Sequence, residues 1–242
     1  MRAGQQARGP RNLLAGAAAA AAEWLLEPVE PPAAAGHPPA PPREEHVVVA
    51  VIALGARSGA TTVARALGAE LAARDERGAC AVSTTQGGPP PLGTPAAGRL
   101  ARALAPAIAA PVRACGRLCL VDAPDPVTLA DAALRLAPLV FDVTDHAAAA
   151  GVAALADRVV LVGGPLVEPA LAGAVAAALA RVGPKPIVVA SRPPEESAWE
   201  GRAEMELPHS RLGAQWALAG REPRGELGHA IAVLADLLGA QE

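Results

Sequence analysis

Between Leu54 and Thr62 the chain reads LGARSGATT, glycines and hydroxyl side chains set between an apolar stretch and an amphipathic one. Upstream, Val47–Ala53 is continuously apolar and rich in valine, which predicts a strand buried on both faces. Downstream, Val63, Leu67 and Leu71 recur at helical spacing, which predicts a helix packed on that strand. Glycines at such a junction let backbone N–H groups converge on an anion at the helix N-terminus. Gly55, Arg57, Ser58, Gly59, Ala60, Thr61 and Thr62 are therefore the candidate residues of a phosphate-binding loop.

The side chains depart from the pattern that a working loop needs, which is Gly, four residues, Gly, Lys and then Ser or Thr. With Gly59 as the second glycine, Leu54 stands at the first, Ala60 at the lysine and Thr61 at the hydroxyl. The chain has a single lysine, Lys185, so arginine carries nearly all its positive charge. That bias accounts for an arginine in place of a lysine, but not for an alanine. The GxxxGxG turn of short-chain dehydrogenases fits GARSGAT almost as well. Thr61 replaces its last glycine, however, and a chain without tyrosine lacks that family's catalytic residue. A Gly-rich turn that holds no ligand, with Thr61 and Thr62 simply capping a helix, remains the plain alternative.

The elements that must position this loop are legible in the hydrophobic pattern. A length of 242 residues with 52% hydrophobic side chains allows one α/β core and a tail. Trp24, Phe141, Trp199 and Trp216 are the whole aromatic complement, so valine, leucine and alanine must fill the core. Residues 28–45 are proline-rich without hydrophobic periodicity and read as an extended linker. They divide an N-terminal segment (1–45, with an Ala-rich helix over Leu13–Leu26) from a folded domain over 46–242. After the first strand and helix, strands are predicted at Ala79–Ser83, Arg117–Val121, Leu139–Val143, Arg158–Val162 and Ile187–Ala190. Helices are predicted over Ala96–Ala109, after APDP up to Ala137, over an Ala-rich stretch after Val143, and over Val167–Arg181. This alternation implies right-handed crossovers and a mostly parallel sheet with helices on both faces. Ser191–Leu207 reads as polar and irregular. Two helices close the chain, the last with Leu227, Ile231, Leu234 and Leu238 on one face.

Charge and cysteine usage narrow the partners. A net charge of −3 with one lysine argues against a nucleic-acid surface. No apolar stretch is long enough to span a bilayer, and Glu226 and Asp236 on the last helix argue against a lipid anchor. Only the N-terminal helix, preceded by Arg2, Arg8 and Arg11, offers a membrane candidate. Cys80, Cys115 and Cys119 have no histidine at a metal-ligand spacing and read as small buried hydrophobes of a reducing cytoplasm.

From His46 onward the chain resembles the ParA/MinD family of P-loop ATPases, of the SIMIBI class. GARSGATT stands where that family has KGGxGKTT. RLCLVDAPD resembles its middle strand and acidic turn, LVFDVTD with LADRVVLVGGP its Walker B strand and the strand after it, and ELPHSRLGAQWALAGREP its late segment before the last helices. The resemblance implies a P-loop NTPase-like α/β domain with ATP and Mg²⁺ as ligands. Gly59 would cradle phosphate, and Thr61 and Asp142 would hold the metal. It also exposes losses: Ala60 replaces the P-loop lysine, Gly55 the signature lysine that reaches across the dimer, and Thr84 and Thr85 the aspartates that orient water. Ser191 sits near the asparagine that usually reads the adenine.

Phosphoryl transfer depends on cations at the β- and γ-phosphates and on an oriented water. A charge-assisted contact contributes about 1.5–3 kcal/mol, so losing two lysines and the carboxylate exceeds what Arg57 could restore. No catalytic residue is assigned, and ATP with Mg²⁺ is expected to bind weakly or not at all. The resulting expectation is a cytoplasmic, non-hydrolysing binding or regulatory module with a protein partner and a possible homodimer, serving the positioning of division, chromosome or pilus machinery. A slow ATP switch using Arg57, and a small-molecule ligase of the same superfold, are the alternatives. Limited proteolysis should clip between Pro28 and Glu45 and leave a stable domain. Insolubility of a chain starting at His46 would instead place the helix around Trp24 in the core.

Overall fold

The computed structural model describes residues 46–84, 94–95, 99–104, 112–122, 136–191 and 199–239. The N-terminal helix and linker, Thr85, most of the Gly/Pro-rich loop after it and the helix after APDP lie outside these residues. The element order is β1 (Val48–Ala53), α1 (Ala60–Arg74), β2 (Ala79–Ser83), β3 (Thr94–Pro95), α2 (Arg99–Leu104), β4 (Val112–Cys115) and β5 (Leu118–Asp122). It continues with β6 (Leu139–Val143), α3 (His146–Leu155), β7 (Arg158–Gly163), α4 (Pro169–Leu179), β8 (Ile187–Ser191), β9 (Met205–Leu207), α5 (Arg211–Leu218) and α6 (Gly225–Gly239).

The strands form one nine-stranded sheet in the order β3-β4-β5-β2-β6-β1-β7-β8-β9. From β5 to β9 every neighbouring pair is parallel, while β3–β4 and β4–β5 are antiparallel. β1 lies inside the sheet, with β6 on one edge and β7 on the other. Its side chains divide by the two-residue period of a strand. Val48, Ala50 and Ile52 join one buried cluster with Phe141, Val152 and Leu179, on the side of α3 and α4. Val49, Val51 and Ala53 join the opposite one with Leu67, Ile231 and Leu234, on the side of α1 and α6. Helices therefore cover both faces. On α6 the four expected apolar residues, Leu227, Ile231, Leu234 and Leu238, are all buried. Asp145 caps α3 by accepting from Ala147 N at 2.9 Å, and Ser210 caps α5 by accepting from Gly213 N at 3.0 Å. Among the described residues no helix is long and apolar enough to cross a membrane.

The six expected strands are all present, and three more were missed. β4 joins β5 through a two-residue turn at Gly116–Arg117, where Gly116 takes a φ of +64°. Its sequence, VRAC, is too short and mixed to carry a pattern of its own. β3 is shorter still. β9 falls inside the stretch read as polar and irregular, where Leu207 and Trp199 are in fact buried. Such edge segments are extended because a neighbouring strand offers hydrogen bonds, not because of local propensity. The helix expected over Ala96–Ala109 is described as helix over Arg99–Leu104, and that expected over Val167–Arg181 spans Pro169–Leu179.

Trp199 packs over the end of β7. A Cβ placed on Gly163 would lie 2.1 Å from the ring. Gly163→Ala should therefore destabilise the domain by about 2–4 kcal/mol, the cost of overpacking a core that cannot shift. Trp199→Ala should cost about 3–5 kcal/mol through the cavity it leaves. Urea denaturation of the double variant should recover much of the Gly163→Ala loss, because ring and methyl then no longer compete. Strict additivity would mean that the contact does not set the packing there.

Candidate functional site

β1 ends at Ala53, and Leu54 N donates to Val162 O at 2.9 Å, which holds the start of the following turn against β7. Within the turn Ser58 N donates to Gly55 O at 3.3 Å, and Val63 N donates to Gly59 O at 3.0 Å to begin α1. Gly59 adopts a left-handed φ of +89°. Arg57, with φ +61°, is the one described residue other than glycine in that region. That conformation costs a side-chain-bearing residue about 1–3 kcal/mol, so the surrounding packing must impose it. The packing is close: a Cβ on Gly164 would meet Ser58 Cα at 2.8 Å, and one on Gly59 would meet Ser191 Oγ at 2.8 Å. Gly59 gives α1 no side-chain cap, only Ala60 N is taken up locally, by Ser58 Oγ at 3.4 Å, and the first turn carries no acidic residue. Its positive end is thus open toward the loop, as an anion site requires.

Around this backbone the expected side chains are unevenly placed. Ser58 is buried, its Oγ accepting from Ala60 N at 3.4 Å. Ala60 is 2% exposed, so the lysine position is a methyl sunk in the core. Gly55, Thr61 and Thr62 are half-buried, and Arg57 is exposed. Thr61 Oγ1 donates to Asp142 Oδ1 at 3.3 Å, which brings together the two residues proposed for the metal. Thr84 does not stand in for a water-orienting carboxylate. Its backbone N and its hydroxyl both donate to Asp142 O, at 3.1 and 3.2 Å.

Asp142 is 4% exposed. Burial pushes its carboxyl up from the ordinary 3.8 to about 6, while the Thr61 hydroxyl and the Arg65 guanidinium oppose the rise and Asp122 adds to it. Arg65 was not among the sequence candidates. It lies on α1 one turn past Thr61, is 4% exposed, and donates from Nη1 to Leu218 O at 2.8 Å. Burial lowers its pKa, and Asp142 and Asp122 work against that. The sequence signal was the i, i+4 spacing from Thr61, which puts Arg65 on the helix face that carries the Thr61 hydroxyl.

A groove of about 320 Å³ opens beside the loop, lined by Gly59, Thr62, Ser191, Pro208, Arg211 and Gln215 among others. Its size suits a small ligand. A larger groove, about 830 Å³, lies at Cys115, Arg117, Trp216 and Arg221 and contains none of the loop residues. The loop's backbone fits a phosphate. The side chains bring few partners for a magnesium–nucleotide: Ala60 and Gly55 carry no cation, and the buried Arg65 lines one crevice with Asp142.

No protein-family model matches the chain, and no curated protein matches it. Solved structures do. A ParA family ATPase from Chlorobium tepidum is similar with a TM-score of 0.60 at 15% identity, covering 78% of this chain and 97% of that one. The MinD cell division protein of Aquifex aeolicus is similar at 0.57 and 14%, covering 81% and 98%. A MinC:MinD complex from the same organism gives 0.55 and 14%, covering 81% and 97%. The described domain, with its Gly-rich turn between β1 and α1 and Asp142 on the neighbouring strand, has the α/β fold of the ParA and MinD ATPases.

Proposed function

We propose that this chain is a ParA/MinD-fold module whose loop holds the phosphates of a nucleotide weakly and does not hydrolyse them, and that it acts by binding or regulating a protein partner. Ala60 carries the reading. A helix N-terminus without acidic side chains and a left-handed Gly59 keep the cradle, while a buried methyl occupies the place of the cation that would neutralise transferring charge. Thr84, turned onto the backbone of β6, supports the absence of hydrolysis. The complex of a fold relative, MinD, with MinC supports a protein partner rather than a nucleic acid. A cytoplasmic role in positioning division, chromosome or pilus machinery is the corresponding cellular setting. Arg57, exposed in the loop, favours a second reading as a slow ATP switch.

Paired calorimetry and phosphate release on the wild type and Ala60→Lys separate these readings. The wild type should bind ATP weakly, and the variant should gain at least about tenfold in affinity, the effect of one charge-assisted contact. Both should release phosphate at background rates. Robust turnover by the wild type selects the switch, and no gain in a folded variant, checked by melting, means that the turn holds no phosphate.

Asp142 gives an independent measure of how the site is set for function rather than stability. Its raised carboxyl pKa means that the folded state keeps a proton between about pH 4 and pH 6 that the unfolded chain has lost. Stability should therefore fall as pH rises through that window, by up to about 3 kcal/mol, and stay at the lower level above it. Asp142→Asn should remove this slope, and it leaves the buried Arg65 without one of its compensating charges. A slope that persists in the variant would assign the titration to another group.

A further inference from the structure

The carboxylates at the carboxyl ends of β5 and β6 have a cation of their own. Arg65 projects from α1 into the core, where Asp142 is as deeply buried as Arg65 itself. Arg65, Ser83, Asp122 and Asp142 line one crevice of about 10 Å³. That is room for about one water, and Thr61, the hydroxyl paired with Asp142, does not line it. The guanidinium is not a loose surface charge that could swing away. It is held by Leu218 O, at the end of α5, so the helix on one side and the α5 terminus on the other fix its place. A guanidinium stays protonated when buried and cannot neutralise itself, unlike a lysine. The carboxylates lower the energy of the buried cation, and the cation lowers that of Asp142.

We propose that Arg65 is the resident cation of this site, balancing Asp122 and Asp142 in place of a divalent ion, so that any nucleotide held by the loop is held without Mg²⁺. The proposal extends the nucleotide-binding reading in its second half, whereas its first half stands without any nucleotide. Its cause is the same in both: a divalent ion at Asp142 would meet a buried positive charge, lining the same crevice and held in place by Leu218 O.

The experiment uses the full chain and Mn²⁺ as a spectroscopic stand-in for Mg²⁺. Without nucleotide, electron paramagnetic resonance titration of the wild type should detect no site that depends on Asp142. Arg65→Met should gain one, and the double variant Arg65→Met/Asp142→Asn should lose it again. Calorimetry with ATP should give wild-type affinities equal within about twofold in Mg²⁺ and in EDTA, because no metal-bridged contact of the kind worth tenfold or more is lost. Mn²⁺ bound by the wild type and released by Asp142→Asn overturns the proposal, as does a folded Arg65→Met that gains no site. So does an ATP affinity that collapses in EDTA. Should Arg65→Met fail to fold, the wild-type and Asp142→Asn titrations decide alone. A wild type that binds no ATP under either condition sinks the nucleotide reading, and the Mn²⁺ titrations still decide whether Arg65 fills the metal's role.

Discussion

Val48–Ala53 is buried along its whole length and hydrogen-bonded on both edges, to β6 and to β7. A strand so enclosed can expose neither a reactive side chain nor an unpaired backbone group. Whatever chemistry the domain does must occur where such strands end. Because β1, β6, β7 and β8 run parallel, their carboxyl ends lie along one edge of the sheet. Leu54–Gly59, Asp142, Gly163–Gly164 and Ser191 are thereby gathered from distant parts of the chain. This is the general place for ligands in an open α/β sheet, and here it also sets the tightness of the loop. Gly164 lies against the Ser58 backbone at a distance that admits no side chain, and Gly59, against Ser191, is held at a φ of +89° that disfavours one.

Two kinds of electrostatics meet at that edge, and they have different dependence on sequence. The N-terminal field of α1 comes from peptide groups, so it persists as long as the helix begins at Ala60, whatever side chain stands there. Side-chain charge has no such protection. With Ala60 and Gly55 at the cationic positions, the loop relies on backbone dipoles and on the exposed Arg57. Positive charge appears instead inside the domain, at Arg65, where a buried carboxylate needs it for a different reason. Removing either member of such a buried set strands the other without compensation, which ties Arg65 and Asp142 together in any variant.

The core makes these close approaches available. With four aromatic side chains in the whole chain, valine and alanine form most of the contact between sheet and helices. Gly68 brings α1 so near the sheet that a Cβ there would stand 3.1 Å from Leu118 and 3.2 Å from Ala81. Small residues give short distances between layers, and a helix packed that closely is buried around most of its circumference. Arg65 is consequently interior although its own helix shows only one evident apolar stripe.

Strong periodicity made the frame legible: the buried strands β1, β2, β5, β6, β7 and β8, the helices α1, α3 and α4, and the apolar face of α6 follow from patterns that burial on two faces or one imposes. The glycine-rich turn between β1 and α1 was legible too, from its strand–glycine–helix junction, whereas Thr61 and Asp142 were expected together only from the family resemblance. β3, β4 and β9 left none, since two to four residues at a sheet edge are extended by their neighbours' hydrogen bonds. Trp199 likewise gave no sign that it would close over Gly163. Arg65 is the sharpest case. By itself the sequence determined that an arginine lies one helical turn beyond Thr61. Only the tertiary structure decided that this turn is enclosed by β5, β6 and α5, because the dielectric around a charge and the partners within its reach are set by chain segments far away in sequence.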